Sequence, residues 1–134
     1  MLNGKKFNYV GSNAYWLTFL QNPADVDYAL DQFVKAGLKV LRVWGFADYT
    51  AAQGSATHFQ VFSGASVAIN TGASGLGRLD YIVQAAEKRG VRLIIPLVNN
   101  WADYGGMQVY VDAFAPGKGQ AGECSAPARA RAPR

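Results

Sequence analysis

The segment Val98-Asn99-Asn100-Trp101-Ala102-Asp103-Tyr104-Gly105-Gly106-Met107 places two amides, a carboxylate and two aromatic rings close together. Amides and carboxylates exchange hydrogen bonds with hydroxyl groups. Flat rings cover apolar C–H patches, and an indole N–H adds a donor. Such a combination is the chemistry of sugar binding. The cluster follows an apolar run, Val91 to Val98, broken only by Arg92 and Pro96. A buried strand therefore ends where it begins, and in α/β proteins ligands collect at the carboxyl ends of strands.

Two more strand ends carry similar residues. Phe7 to Val10 reads as a strand and runs into Gly11-Ser12-Asn13-Ala14-Tyr15-Trp16. Leu38 to Trp44 reads as a second strand, with Arg42 as a charge inside it. A buried arginine is costly unless paired, so Arg42 must reach a partner at the strand end, and Asp48 is one candidate. Trp44 packs in the core or offers its face to a ligand. Trp101 anchors its loop on Tyr104 or serves as a stacking platform. Asn99 and Asn100 bind hydroxyls or cap the loop. Asp48 and Asp103 are acidic residues on the same end.

The elements that must position these residues alternate. An Asn-Gly turn at Leu2-Asn3-Gly4-Lys5 suggests a small N-terminal hairpin. Asn22 and Pro23 open a helix whose inward face is Val26, Leu30, Phe33 and Val34, and Gly37 closes it. A long polar loop spans about 45–75. Leu79, Ile82, Val83 and Ala86 mark a second helix, closed by Gly90; Met107, Tyr110, Val111 and Phe114 begin a third. Lys35-Ala36-Gly37-Leu38-Lys39-Val40-Leu41 and Lys88-Arg89-Gly90-Val91-Arg92-Leu93-Ile94 share one pattern of basic helix end, glycine and apolar strand. Repeated units of this kind with nearly continuous apolar strands predict a parallel sheet buried on both faces. Three units are visible, whereas a (β/α)₈ barrel needs eight. A doubly wound sheet is the rival, but Gly11-Ser12-Asn13-Ala14 is not its phosphate-binding glycine loop.

Composition limits the other possibilities. The formal net charge is +4, and most of it falls in the last twenty residues, through Lys118, Arg129, Arg131 and Arg134 against Glu123. The body has no basic face for nucleic acid. No apolar run reaches the roughly 18 residues of a membrane span, and no signal-peptide pattern follows Met1. One histidine, His58, and one cysteine, Cys124, make a poor metal set. No G-x-S-x-G elbow exists for a serine triad. No metal and no cofactor are expected. Residues 115–134 contain no aliphatic side chain larger than alanine and are expected to be a disordered tail. That tail reads as out-of-frame or unspliced sequence after a truncation rather than as a basic interaction tail.

Five separated segments carry a family resemblance. They are Tyr9-Val10-Gly11-Ser12-Asn13-Ala14-Tyr15-Trp16-Leu17, Lys39-Val40-Leu41-Arg42-Val43-Trp44-Gly45-Phe46, Ile69-Asn70-Thr71-Gly72, Gly77-Arg78-Leu79-Asp80-Tyr81 and Leu97 to Gly106. Together, over about 2–114, they resemble the N-terminal part of fungal endo-β-1,4-mannanases of glycoside hydrolase family five. The resemblance implies the first three units of a (β/α)₈ TIM barrel over 1–114. It also implies a secreted enzyme, monomeric at full length, that acts on mannan or galactomannan with no nucleic-acid or membrane partner. Trp44, Trp101, Arg42, Asn100, Asn13 and Tyr15 become the expected substrate-binding residues, with Arg42 beside the nucleophile in the family. Retaining glycosidases need two carboxyls roughly 5 Å apart, and the family's two glutamates lie at the ends of the fourth and seventh strands. This chain has only Glu87 and Glu123, neither at a family position, so no catalytic residue is expected in it. The expected function is a mannanase fragment inactive as it stands. A non-catalytic mannan-binding module and a fragment of a related β-glucanase are the alternatives. A piece that never folds alone is a further outcome, because three parallel strands leave two open edges and a wet inner face.

Overall fold

The computed structural model describes residues 4–51 and 53–119. Helix α1, Pro23–Lys35, starts as its residues dictate. The Asn22 side chain accepts from the Ala24 N–H at 3.0 Å, and Pro23 occupies the first turn. Gly37 takes φ +74° just past the end, which lets the Leu38 N–H reach the Phe33 carbonyl at 3.3 Å. Helix α2, Leu76–Lys88, ends the same way: Gly90 has φ +68° and the Val91 N–H reaches the Ala86 carbonyl at 2.9 Å. The two junctions that look alike in sequence are alike in geometry.

Both helices pack on one side of a parallel sheet, β1 (Gly11–Asn13), β2 (Val40–Arg42) and β6 (Arg92–Ile94), in the order β1-β2-β6. Asn13, Arg42 and Ile94 stand in register at its carboxyl end. Between β2 and α2 lie β3 (Asp48–Tyr49), β4 (Gln60–Ser63) and β5 (Ser66–Ile69). Helix α3, Gly106–Phe114, follows β6. The core joins Val26, Leu30 and Phe33 of α1 and Ile82, Ala85 and Ala86 of α2 to Leu41 and Val43, with Leu17 beneath. Each chain unit thus runs strand then helix, three times, in parallel order, without closing a barrel.

Several expectations need correction. The first strand is Gly11–Asn13, not Phe7–Val10; Tyr9 and Val10 are exposed. Pairing follows backbone geometry here: Gly11 lies flush against Val40, where a Cβ would come within 2.5 Å of the Val40 carbonyl. The second and third strands are shorter than read. Yet Val43 still pairs with Ile94 and Gly45 with Pro96 beyond their ends, as expected where ladders fray. Only the central strand is buried; Arg92, Ile94 and all of β1 are exposed, so the sheet is not covered on both faces. Val34, Val83 and Phe114 also face outward. The loop at 45–75 is not structureless, because it folds into the parallel β3–β4 pair and the antiparallel β4–β5 hairpin. Of the expected N-terminal hairpin, Gly4 is a turn and Lys5 a single bridge residue, and its first residues lie outside the described ones. The expected disordered tail lies outside them from residue 120 onward, with Glu123 and Cys124; residues 115–119 are turn and coil after α3. Among the described residues no helix is long and apolar enough to cross a membrane.

Candidate functional site

The carboxyl ends of β1, β2 and β6 share one rim. Trp44 lies two residues past β2, and four other aromatic residues surround it. Tyr15 is 4.8 Å away between ring centroids, Phe46 4.6 Å, Tyr104 5.2 Å and Phe19 6.3 Å. Tyr104 also packs on Phe19 at 5.4 Å. Trp44 is half-buried, and its indole N–H is buried with no hydrogen-bond partner among the described residues. Trp44 therefore packs in an aromatic cluster at the end of β2 and keeps part of its surface exposed.

Arg42 meets Asn13, not Asp48. Its Nη1 donates to the Asn13 Oδ1 at 3.3 Å, as their adjacent register positions on β2 and β1 require. Asp48 is buried and turned away from the rim, where its Oδ2 accepts from the Tyr110 hydroxyl at 2.9 Å. Burial holds its carboxyl above the usual carboxylate range, and the Tyr110 bond partly offsets this. The Tyr110 phenol is pushed up to about 12 by burial and by the carboxylate beside it. Asp48 is therefore not an acid facing the cleft. Asp103 is exposed, and its carbonyl accepts from the Asn99 amide at 2.9 Å.

The loop after β6 is tied to itself. The Asn99 Oδ1 accepts from the Trp101 N–H at 3.4 Å, and the Asn99 carbonyl accepts from the Met107 N–H at 2.9 Å. Asn99 is thus a loop-forming residue, and Asn100, which is exposed, stays available at the surface. Tyr104 takes φ +59°, a conformation non-glycine residues rarely hold. That turn drops its ring onto Trp44 and leaves Trp101 outside, 72% exposed. Tyr104 anchors the loop, and Trp101 does not.

Of the expected binding residues, the structure brings Asn13, Arg42, Tyr15 and Trp44 together. Trp101 and Asn100 stand on the adjacent loop that Tyr104 attaches. Phe19, Phe46 and Tyr104 were not among the expected residues. Tyr104 sits in the motif itself and was within reach of the sequence, whereas nothing local marks Phe19. Glu87 is exposed in the last turn of α2, which leads to the amino end of β6, opposite the rim. No group of three or more metal-ligating side chains exists among the described residues.

No family model matches the chain. Curated relatives do. A mannan endo-1,4-beta-mannosidase F of Aspergillus fumigatus is 55% identical over 87% of this chain and 29% of its own length. A mannan endo-1,4-beta-mannosidase A of Podospora anserina is 50% identical over 85% of this chain and 31% of its own length. The chain therefore spans under a third of the curated relatives it matches. Among solved structures, the endo-1,4-beta-mannanase of Rhizomucor miehei superposes with a TM-score of 0.74 at 36% identity, over 86% of this chain and 32% of that one. A glycoside hydrolase family 5 mannosidase of the same organism shares the fold at 18% identity and a TM-score of 0.61, over 81% of this chain and 27% of that one. The chain is thus similar in sequence to part of the fungal mannan endo-1,4-β-mannosidases, and in fold to part of the TIM-barrel architecture of glycoside hydrolase family five.

Proposed function

We propose that this chain supplies part of the mannan-binding cleft of a retaining endo-β-1,4-mannosidase and carries none of its catalytic carboxylates. The observation behind this is the shared rim. Asn13, Arg42, Tyr15 and Trp44 meet at the carboxyl ends of parallel strands, with Asn100 and Trp101 on the loop that Tyr104 pins to Trp44. Aromatic faces suit the C–H patches of mannose, and amide and guanidinium donors suit its hydroxyls. The unpartnered Trp44 N–H adds a buried donor beside that surface. Trp101, exposed on its loop, offers a second platform.

Bond cleavage needs two carboxyls roughly 5 Å apart. Glu87 points from the far end of the unit, and Asp48 is held by Tyr110 in the interior. The chain alone therefore binds mannan without cutting it. The parent enzyme is read as secreted and monomeric, with mannan or galactomannan as its partner and neither cofactor nor metal. Affinity electrophoresis in galactomannan tests the binding: retardation that Trp101→Ala removes supports it, and unretarded migration refutes it. Release of reducing ends from galactomannan by the purified chain refutes the assignment of catalysis to other residues.

A further inference from the structure

We propose that Asp48 is a positioning residue that holds the Asn99–Gly106 loop, and with it Trp101, at the rim. What this does for sugar binding rests on the mannan reading above; what it does for the loop does not. The buried carboxylate takes no part in the rim chemistry, yet two parts of the loop-and-helix unit converge on it. Gly105 lies so close to the Asp48 backbone that an added Cβ would sit 2.5 Å from the Asp48 carbonyl oxygen and 2.7 Å from its Cβ. One turn into α3, the Tyr110 hydroxyl donates to the Asp48 Oδ2 at 2.9 Å. The Gln60 Nε2 donates to that same hydroxyl at 2.7 Å, so the phenol is fixed from both sides. Asp48 and Gln60 are direct partners across β3 and β4, and Phe62 packs edge-on against Tyr110 at 4.9 Å.

The small sheet is thus a platform for α3, and α3 closes the loop through the Met107 N–H to the Asn99 carbonyl. Hydrogen bonds to charged acceptors are stronger than neutral ones, and a buried charge left without its donor is costly. The loop is therefore coupled to the Asp48–Tyr110 bond more than to the helical core, which lies on other elements.

Amide hydrogen exchange on the full chain tests this, with β-1,4-mannohexaose titration alongside. Tyr110→Phe and Asp48→Ala are expected to speed exchange across 99–107 about tenfold or more, as loss of a hydrogen bond to a charged group implies. Amides in α1 and α2 should keep their wild-type rates. Asp48→Asn, which keeps an acceptor for the phenol but not the charge, should speed exchange there less than Asp48→Ala does. Mannohexaose affinity should fall in Tyr110→Phe and Asp48→Ala and fall less in Asp48→Asn. Unchanged exchange at 99–107, or an equal rise in α1 and α2, overturns the proposal. If neither disruptive variant folds, Gln60→Ala is read instead; a rise confined to 99–107 supports the proposal and no rise overturns it. If the wild-type chain ignores mannohexaose, the mannan reading fails while the exchange pattern still decides the role of Asp48.

Discussion

Replacing Gly106 by alanine tests the link between backbone geometry and the Trp101 loop, the proposed mannan-binding loop. Gly106 has φ +57° and ψ −171°, a region open essentially to glycine alone, and forcing another residue there costs on the order of 1–3 kcal/mol. Space is short as well. A Cβ would lie 1.9 Å from the Trp101 carbonyl oxygen and 2.8 Å from its carbon. Both are backbone atoms, so the Trp101 segment must move rather than a flexible side chain. That movement breaks the Met107 to Asn99 bond, 2.9 Å in the native loop, for about 1 kcal/mol more. The loop should lose about 2–4 kcal/mol of local stability. Gly37→Ala is the control: φ is +74° there and nothing lies within 4 Å of the added Cβ, so only conformational strain of about 1–2 kcal/mol remains. Amide exchange at Met107 and galactomannan affinity measure the result. Gly106→Ala should expose the Met107 amide and abolish binding, and Gly37→Ala should do neither. Wild-type protection at Met107 together with wild-type affinity in Gly106→Ala would refute the reasoning.

Other outcomes follow from burial and charge. Leu30 is wholly buried between helix and sheet, so Leu30→Ala should lower the unfolding free energy by about 2–5 kcal/mol, read from urea titration. Trp101→Ala should weaken mannohexaose binding and leave the thermal midpoint unchanged, because the ring is mostly in solvent. Burial raises the Asp48 carboxyl above its ordinary 3.8, so the folded chain holds that proton more tightly than the unfolded one. Its contribution is fully present below pH 3.8 and is lost as pH rises through the higher folded value. The groups facing it are Tyr110, Gln60 and Tyr49, and the two phenols stay neutral across that window. Asp48→Asn should flatten this limb of the stability–pH curve, and an unchanged slope in urea titrations from pH 4 to 7 would contradict the assignment.

Helices α1 and α2 were legible because their caps and inward faces are local. Asn22, Pro23 and Gly37 act on neighbours a few residues away, and Val26, Leu30 and Phe33 recur at helical spacing. The strands were legible in order but not in extent. Ladder bonds form between backbones, so the polar Gly11-Ser12-Asn13 pairs with Val40-Leu41-Arg42, whereas of the expected Phe7–Val10 strand only the Val10 carbonyl joins, accepting from the Lys39 N–H at 2.9 Å. The β3–β5 sheet escaped notice because its strands are two to four residues long and lie in a serine- and glycine-rich stretch. Asn13 as partner of Arg42 was missed for a related reason: the pair is 29 positions apart and meets only through strand register.

Residue types and their short-range spacing determined the alternation of strand and helix, the glycine-capped junctions and the clustering of amides and aromatic rings in the loop after β6. These depend on interactions within a turn or two of chain. Tertiary structure alone decided which rings meet Trp44, why Asp48 faces inward to Tyr110, and that Tyr104 rather than Trp101 holds the loop. Those choices depend on chain segments far apart in sequence competing for the same space, and no local pattern records which of them wins.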